Sequence, residues 1–233
     1  MGDPGNQNLK EHYQNLYTEA IQCFENDRYQ IDTLIDDPLD KRFGITLLIR
    51  LPDRIKTSII RELEKVERIE PNQYFYPMSD LHITVMSIIS CYNGFELSSI
   101  NMEEYDQIIK KCLVGVHEFK IHLKGMTASP SCLMISGFYD SQTLSNIRES
   151  LRINFKNSGL EQTLDKRYAI QTAHATIFRI KAPFANRSQL VEIISGYKDH
   201  DFGTFEVDTL ELVYNDWYQR EKHVKLLQTF RLS

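Results

Sequence analysis

Cysteine is scarce and scattered. Cys23, Cys91, Cys112 and Cys132 are the whole complement, with no C-x-x-C pair among them, which excludes the signatures of a zinc ribbon or a thioredoxin-like redox site. Four isolated thiols point instead to reduced, buried side chains of a cytoplasmic protein. Long apolar runs are missing too: nothing approaches the roughly 20 residues that a membrane-spanning helix needs. Residues 1–10 are polar and lack the apolar centre of a signal peptide. Gly2 follows Met1, but Asn6 stands where a myristoylation signal has Ser or Thr. Positive charge is in deficit, with 27 Lys and Arg against 32 Asp and Glu and a formal net charge of −5. A protein that coats nucleic acid neutralises phosphates with Lys and Arg. No extended nucleic-acid surface is therefore expected, while a small basic pocket for a single phosphate is still allowed. No Pro/Ser-rich stretch divides the chain, so strands alternating with helices form one compact domain.

The apolar spacing supplies the elements. Leu9, Tyr13, Leu16, Tyr17, Ala20, Ile21 and Phe24 recur at a helical period. Residues 43–51 read as a strand closed by Pro52, and Asp53 can cap the helix that carries Ile55, Ile59, Ile60, Leu63 and Val66. Residues 74–90 contain a strand, and Asn93-Gly94 marks a turn before a helix over 102–116. Residues 119–124 and 132–139 read as a hairpin joined through Gly125 and Pro130. A helix over 141–155 puts Leu144, Ile147, Leu151 and Phe155 on one face. A strand over 168–180, a helix over 187–197 and strands over 205–214 and 223–232 complete the chain. The expected fold class is α+β, with residues 1–40 as an N-terminal helical extension and 41–233 as one bilobal domain.

One short pattern occurs twice, each time inside a strand-like run: His82-Ile83-Thr84 and His174-Ala175-Thr176. Two such tripeptides arise by accident in roughly one shuffled chain of this composition in seventeen, so context carries the weight. Side chains alternate along a strand, so His82 and Thr84 share one face, as do His174 and Thr176, while the neighbours on the other face are apolar. If the two halves oppose these faces, two imidazoles and two hydroxyls line one cleft. An imidazole exists in both protonation states near neutrality. One can take a proton from an attacking oxygen while the other gives a proton to the leaving oxygen, and the hydroxyls can bond the non-bridging phosphate oxygens. Neither motif brings further His, Asp or Cys at metal-ligand spacing, so no metal and no cofactor are expected.

Tandem His-x-Thr strands in this strand–helix order resemble the two-histidine (2H) phosphoesterase superfamily, which includes RNA 2′,3′-cyclic phosphodiesterases, RNA ligase-like proteins and 2′,5′-phosphodiesterases. The resemblance covers residues 43–232. It implies a pseudo-two-fold duplicated fold, with antiparallel sheets flanking a central groove, helices outside, and metal-independent cleavage of a 2′,3′-cyclic, 2′,5′-linked or RNA-end phosphodiester. Carried over, His82 and His174 are the acid/base pair, and Thr84 and Thr176 bind the phosphate. RNA ligase-like members often carry an arginine five residues after the second histidine, where Arg179 stands. Simple alternation puts Arg179 on the apolar face, so a bulge or strand end is needed to turn it. An RNA ligase or transesterase using the same pair, and a non-catalytic nucleotide or RNA-end binder, are the alternatives. The expected partner is a nucleotide or RNA end, with no membrane; the oligomeric state is left open.

Tyr74, Phe75 and Tyr76 precede the first motif and can either stack on an unpaired base or pack the core. Tyr168, Trp217 and Tyr218 are candidates of the same type. The remaining histidines are expected in ordinary settings: His117 and His122 structural or superficial, His12, His200 and His223 solvated.

Overall fold

In a computed structural model, residues 4–139, 142–166 and 169–233 are described. Their elements run α1 (Pro4–Glu25), β1 (Arg42–Arg50), α2 (Asp53–Ile69), β2 (Tyr74–Phe75), β3 (His82–Asn93), α3 (Met102–Leu113), β4 (Phe119–Ser129) and β5 (Cys132–Tyr139). They continue with α4 (Thr143–Lys156), β6 (Ala175–Arg179), α5 (Arg187–Gly196), β7 (Asp201–Val207), β8 (Thr209–Asp216) and β9 (Lys225–Arg231). The nine strands join one sheet in the order β7-β4-β5-β6-β3-β1-β8-β9, with β2 paired to β6, and every pairing is antiparallel.

This order is the bilobal arrangement. One lobe is β3-β1-β8-β9 and the other β6-β5-β4-β7, each with its motif strand at the edge that faces the other lobe. Among the described residues, the lobes meet edge to edge through a single bridge, Ile83 opposite Ala175. Both bridge residues are fully buried, on the sheet face that packs the core. The motif faces therefore look the other way, into the concavity.

Several boundaries differ from the sequence reading, each for a local reason. Pro52 occupies the N-cap of α2 in extended backbone with no side-chain cap, and Asp53 falls in the first turn, where its charge complements the helix dipole. Gly125 is not part of the hairpin turn. It sits inside β4 at φ 83°, where the pairing with β5 skips between Leu123 and Met126. A Cβ there would lie 2.3 Å from the Lys198 carbonyl oxygen. The apolar stretch 205–214 breaks at Asp208 into β7 and β8, which belong to different lobes, and the Asp208 carbonyl accepts the Leu232 N–H. The second motif strand is short: β6 begins at Ala175, after an irregular segment that includes residues 169–174.

Helix α1 lies against β4 and β5, burying Leu9, Tyr13, Ala20 and Phe24 at the i, i+4 spacing that makes one helical face. Tyr13 ties it down. Its hydroxyl donates to the Gly137 carbonyl at 3.2 Å and accepts the Gly137 N–H at 3.1 Å. Gly137 is needed there, because a Cβ would stand 2.0 Å from the Ala173 carbonyl oxygen. The helix, β5 and the segment leading to His174 thus converge on one point. Tyr13→Phe removes both bonds at nearly constant volume and should cost about 1–3 kcal/mol. Thermal unfolding should show a Tm lower by roughly 2–4 °C per kcal/mol lost; an unchanged Tm would refute the anchoring role.

Candidate functional site: a groove between two motif strands

The Ile83–Ala175 bridge fixes the site. The bridge sets the two motif segments side by side, and His82, Thr84, His174 and Thr176 all line one cavity. Two imidazoles brought to one cavity by adjacent segments can span one phosphate group. The cavity above them has a volume of 630 Å³ and is lined by His82, Thr84, His174, Thr176, Arg179 and Trp217, among others. A slightly larger cleft, 680 Å³, lies on the far flank of α1 beside Lys10, Tyr17 and Lys124 and contains none of the motif residues.

Both motif strands carry a bulge three residues after their histidine. In β3 the partner of Leu48 is Thr84 and that of Leu47 is Met86, so Val85 is extra. In β6 the partner of Leu133 is Phe178 and that of Met134 is Thr176, so Ile177 is extra. An extra residue reverses the alternation that follows it. Arg179 is thereby turned from the apolar face to the groove, alongside His174 and Thr176, and Ser87 is turned to join His82 and Thr84. Each motif thus presents its first, third and sixth residues, and Ser87 is the counterpart of Arg179. Sequence reading missed Ser87; applying the spacing from His174 to Arg179 to His82 as well would have found it.

A bulge leaves a carbonyl outside the ladder, and each one here is satisfied. The Ile177 carbonyl accepts the Tyr76 N–H at 3.0 Å. The Val85 carbonyl accepts from Arg148 Nε at 3.0 Å, while Arg148 Nη2 donates to the Thr84 carbonyl at 3.0 Å and the Thr172 carbonyl at 2.8 Å. Arg148 lies on the buried face of α4 between Leu144, Ile147, Leu151 and Phe155 and is 2% exposed. It therefore joins the backbone after His82 to the backbone before His174. Burial pushes its guanidinium down to about 10. The sequence signal was an arginine inside an apolar stripe.

Each histidine is held by the residue two places before it. His82 Nδ1 is 2.7 Å from the Asp80 carbonyl oxygen; a carbonyl only accepts, so Nδ1 carries the proton and Nε2 faces the groove. His174 Nδ1 is 2.6 Å from the Thr172 hydroxyl. Burial pushes both imidazoles down to about 4. The Asp80 carbonyl counteracts this at His82, where Arg50 and Arg179 add to it, and Arg148, His82, Arg179 and His12 all add to it at His174. In the free protein both rings are neutral at pH 7.

The other expected residues are placed as follows. Arg179 Nε donates to the Tyr76 hydroxyl at 2.8 Å, and Asp32 lies 3.9 Å from the same guanidinium. Tyr76 is 2% exposed, so it orients Arg179 and offers no ring face for base stacking. Tyr168 lies outside the described residues. Asn215 Oδ1 and Gln219 Oε1 are buried without a partner among the described residues, and both residues line the groove. His12, expected to be solvated, is half-buried and lines it too. Among the described residues, no three His, Cys, Asp or Glu side chains gather as a metal site, and no helix is long and apolar enough to cross a membrane.

A family model described as the AKAP7 2′5′ RNA ligase-like domain matches residues 48–232. Among solved structures, TT0787 of Thermus thermophilus superposes with a TM-score of 0.59 at 17% identity, covering 81% of this chain and 97% of that one. LigT of E. coli, complexed with 3′-AMP, gives 0.59 at 14% identity over 83% and 99%. The conserved protein ATU0111 of Agrobacterium tumefaciens gives 0.51 at 15% over 89% and 97%. At these identities the likeness is one of fold. A search of curated proteins finds no match.

Two outcomes test the construction of the groove. Arg148→Met strands three carbonyl acceptors and should destabilise the protein by about 2–4 kcal/mol in urea unfolding; a change within experimental error would contradict the bridging role. The histidines supply the second. Their folded pKa values near 4 lie below the unfolded value of about 6.5, so the unfolded chain binds more protons between these limits. Their contribution to stability is full above pH 6.5 and is lost as the pH falls towards 4. A His82→Asn/His174→Asn protein should show a flatter fall across that window than the parent, and equal slopes would count against the buried neutral state.

Proposed function

Because the chain belongs to the family of AKAP7 2′5′ RNA ligase-like domains, within the 2H phosphoesterase superfamily, we propose that it hydrolyses a 2′,3′-cyclic or 2′,5′-linked nucleotide, or an RNA-end phosphodiester, by metal-independent acid/base catalysis. The observation that carries the reading is the convergence of His82, Thr84, His174, Thr176 and Arg179 on one cavity beside the Ile83–Ala175 bridge. LigT, which shares the fold, has been solved with 3′-AMP, ATP and NADP+, and a nucleotide phosphate is the corresponding ligand here.

The two imidazoles differ enough to divide the work. Cationic neighbours disfavour a charge on both rings, Arg50 and Arg179 at His82 and Arg148 and Arg179 at His174, but His82 has the Asp80 carbonyl to offset them, so His174 remains the neutral base and takes a proton from the attacking water through Nε2. His82 donates Nδ1–H to the Asp80 carbonyl, a bond that strengthens when the ring is charged. A phosphodiester anion between the rings favours an imidazolium, and His82 is the one that takes the proton. As the water oxygen bonds to phosphorus, the P–O bond to the leaving ribose oxygen breaks, and His82 protonates that oxygen. Thr84, Thr176 and Arg179 hold the non-bridging oxygens, where negative charge accumulates.

Each proton-transfer role is worth roughly 100- to 10,000-fold, so His82→Ala and His174→Ala should each lose turnover on that scale while circular dichroism shows a folded protein. EDTA should leave the parent's rate unchanged. A p-nitrophenyl phosphodiester, whose leaving group needs no proton, should restore His82→Ala far more than His174→Ala. The opposite pattern would exchange the two roles, and full activity in either alanine variant would remove the mechanism.

A further inference from the structure

Helix α1 lies outside the stretch matched by the family model, yet it forms part of the groove wall. Its His12 and Leu16, one turn apart, line the cavity that holds the two motif histidines. Tyr13, the next residue, is locked to Gly137, so His12 is delivered by a helix that cannot slide. His12 also lines a second cavity of 420 Å³, and Ile170 and Gln171 are shared by both. The two spaces therefore adjoin at His12.

The second cavity has a mixed lining, with Leu9 and Ile170 beside several polar side chains. Asn8, Ser145, Asn146 and Gln171 offer uncharged donors and acceptors. Arg148 and Arg152 bring two positive charges, balanced by the carboxylates of Glu149 and Asp165, and Arg152 is set in place by Asp165 at 2.7 Å and by the Ile170 carbonyl at 3.2 Å. A hydrated, polar group of some size suits this lining better than a wholly apolar one, and the volume falls within the range of small-ligand pockets.

Resting on the reading of the groove as a phosphodiesterase site, we propose that this second cavity is an extension subsite that takes the next nucleotide of an oligonucleotide substrate, with His12 bonding the phosphate that links it to the unit in the main groove. The substrate class is then a chain of nucleotides with a cleavable diester, in preference to a free mononucleotide.

The test compares substrates that differ by one unit: the 2′,5′-linked adenylate dimer against the trimer, and adenosine 2′,3′-cyclic phosphate alone against the same group ending a trinucleotide. In at least one pair the parent should favour the longer member in kcat/KM by about tenfold. His12→Ala, and Asn146→Trp, which puts bulk on an exposed helix position at the cavity, should each reduce that preference about fivefold or more. Equal kcat/KM within both pairs, or a preference that neither substitution alters, overturns the subsite. If the parent cleaves none of the four, the phosphodiesterase reading fails separately. Calorimetric titration of the same pairs into the His174→Ala protein then decides the subsite: tighter binding of the longer member upholds it, and equal affinity rejects it.

Discussion

The groove depends on a buried guanidinium. Arg148 donates to the carbonyls of Thr84, Val85 and Thr172, and through them one side chain holds both motif segments. Among the described residues, the lobes share a single sheet bridge at Ile83 and Ala175, a narrow seam for two halves of a nine-stranded sheet. An arginine with planar, divergent donors suits that seam better than a lysine, whose ammonium is a point charge on a flexible stem. Its charge has a second consequence. It helps keep the His174 imidazole neutral, so the group that braces the site also conditions its chemistry.

The paired bulges explain why the site looks duplicated although the two halves share little beyond the tripeptide. Each motif strand runs through its Thr, gains a residue, and then turns a further side chain into the groove: Ser87 in one half, Arg179 in the other. The bulge carbonyls need donors, and the two halves meet this need differently, with a side chain from α4 in one and the backbone of Tyr76 in the other. The duplication therefore lies in backbone geometry, while the side chains diverge. One hydroxyl and one guanidinium at equivalent places give the groove two unlike sides.

Much of this was legible in the sequence. Helical periodicity marked the helices, and alternation marked most strands. The shared face of His82 with Thr84, and of His174 with Thr176, follows from the two-residue strand repeat. The need for a bulge before Arg179 was legible as a conflict between its position and its charge. The break at Asp208 left a local trace, because the apolar positions change phase there, from Phe205 and Val207 to Leu210 and Leu212, but that the two pieces pair in different lobes is decided by long-range partners. Tyr76 could be placed beside the site, yet whether its ring would face a base or its hydroxyl would hold Arg179 turned on contacts 103 residues apart in sequence. His12 was misread for the same reason: a polar residue on a surface helix has no local signal that the helix forms a groove wall.

Local sequence was enough to set which residues share a strand face, how the apolar spacing divides into elements, and which side chains can exchange protons near neutrality. These are properties of a few consecutive residues, governed by backbone period and side-chain chemistry. Long-range packing was needed for the rest: that the two faces meet across one bridge, that Arg148 satisfies carbonyls from both, that burial holds the two imidazoles neutral, and that α1 carries His12 to the same groove. A carbonyl's missing partner, a ring's lost hydration and a neighbouring charge all come from segments far away in the chain, and no local pattern records them.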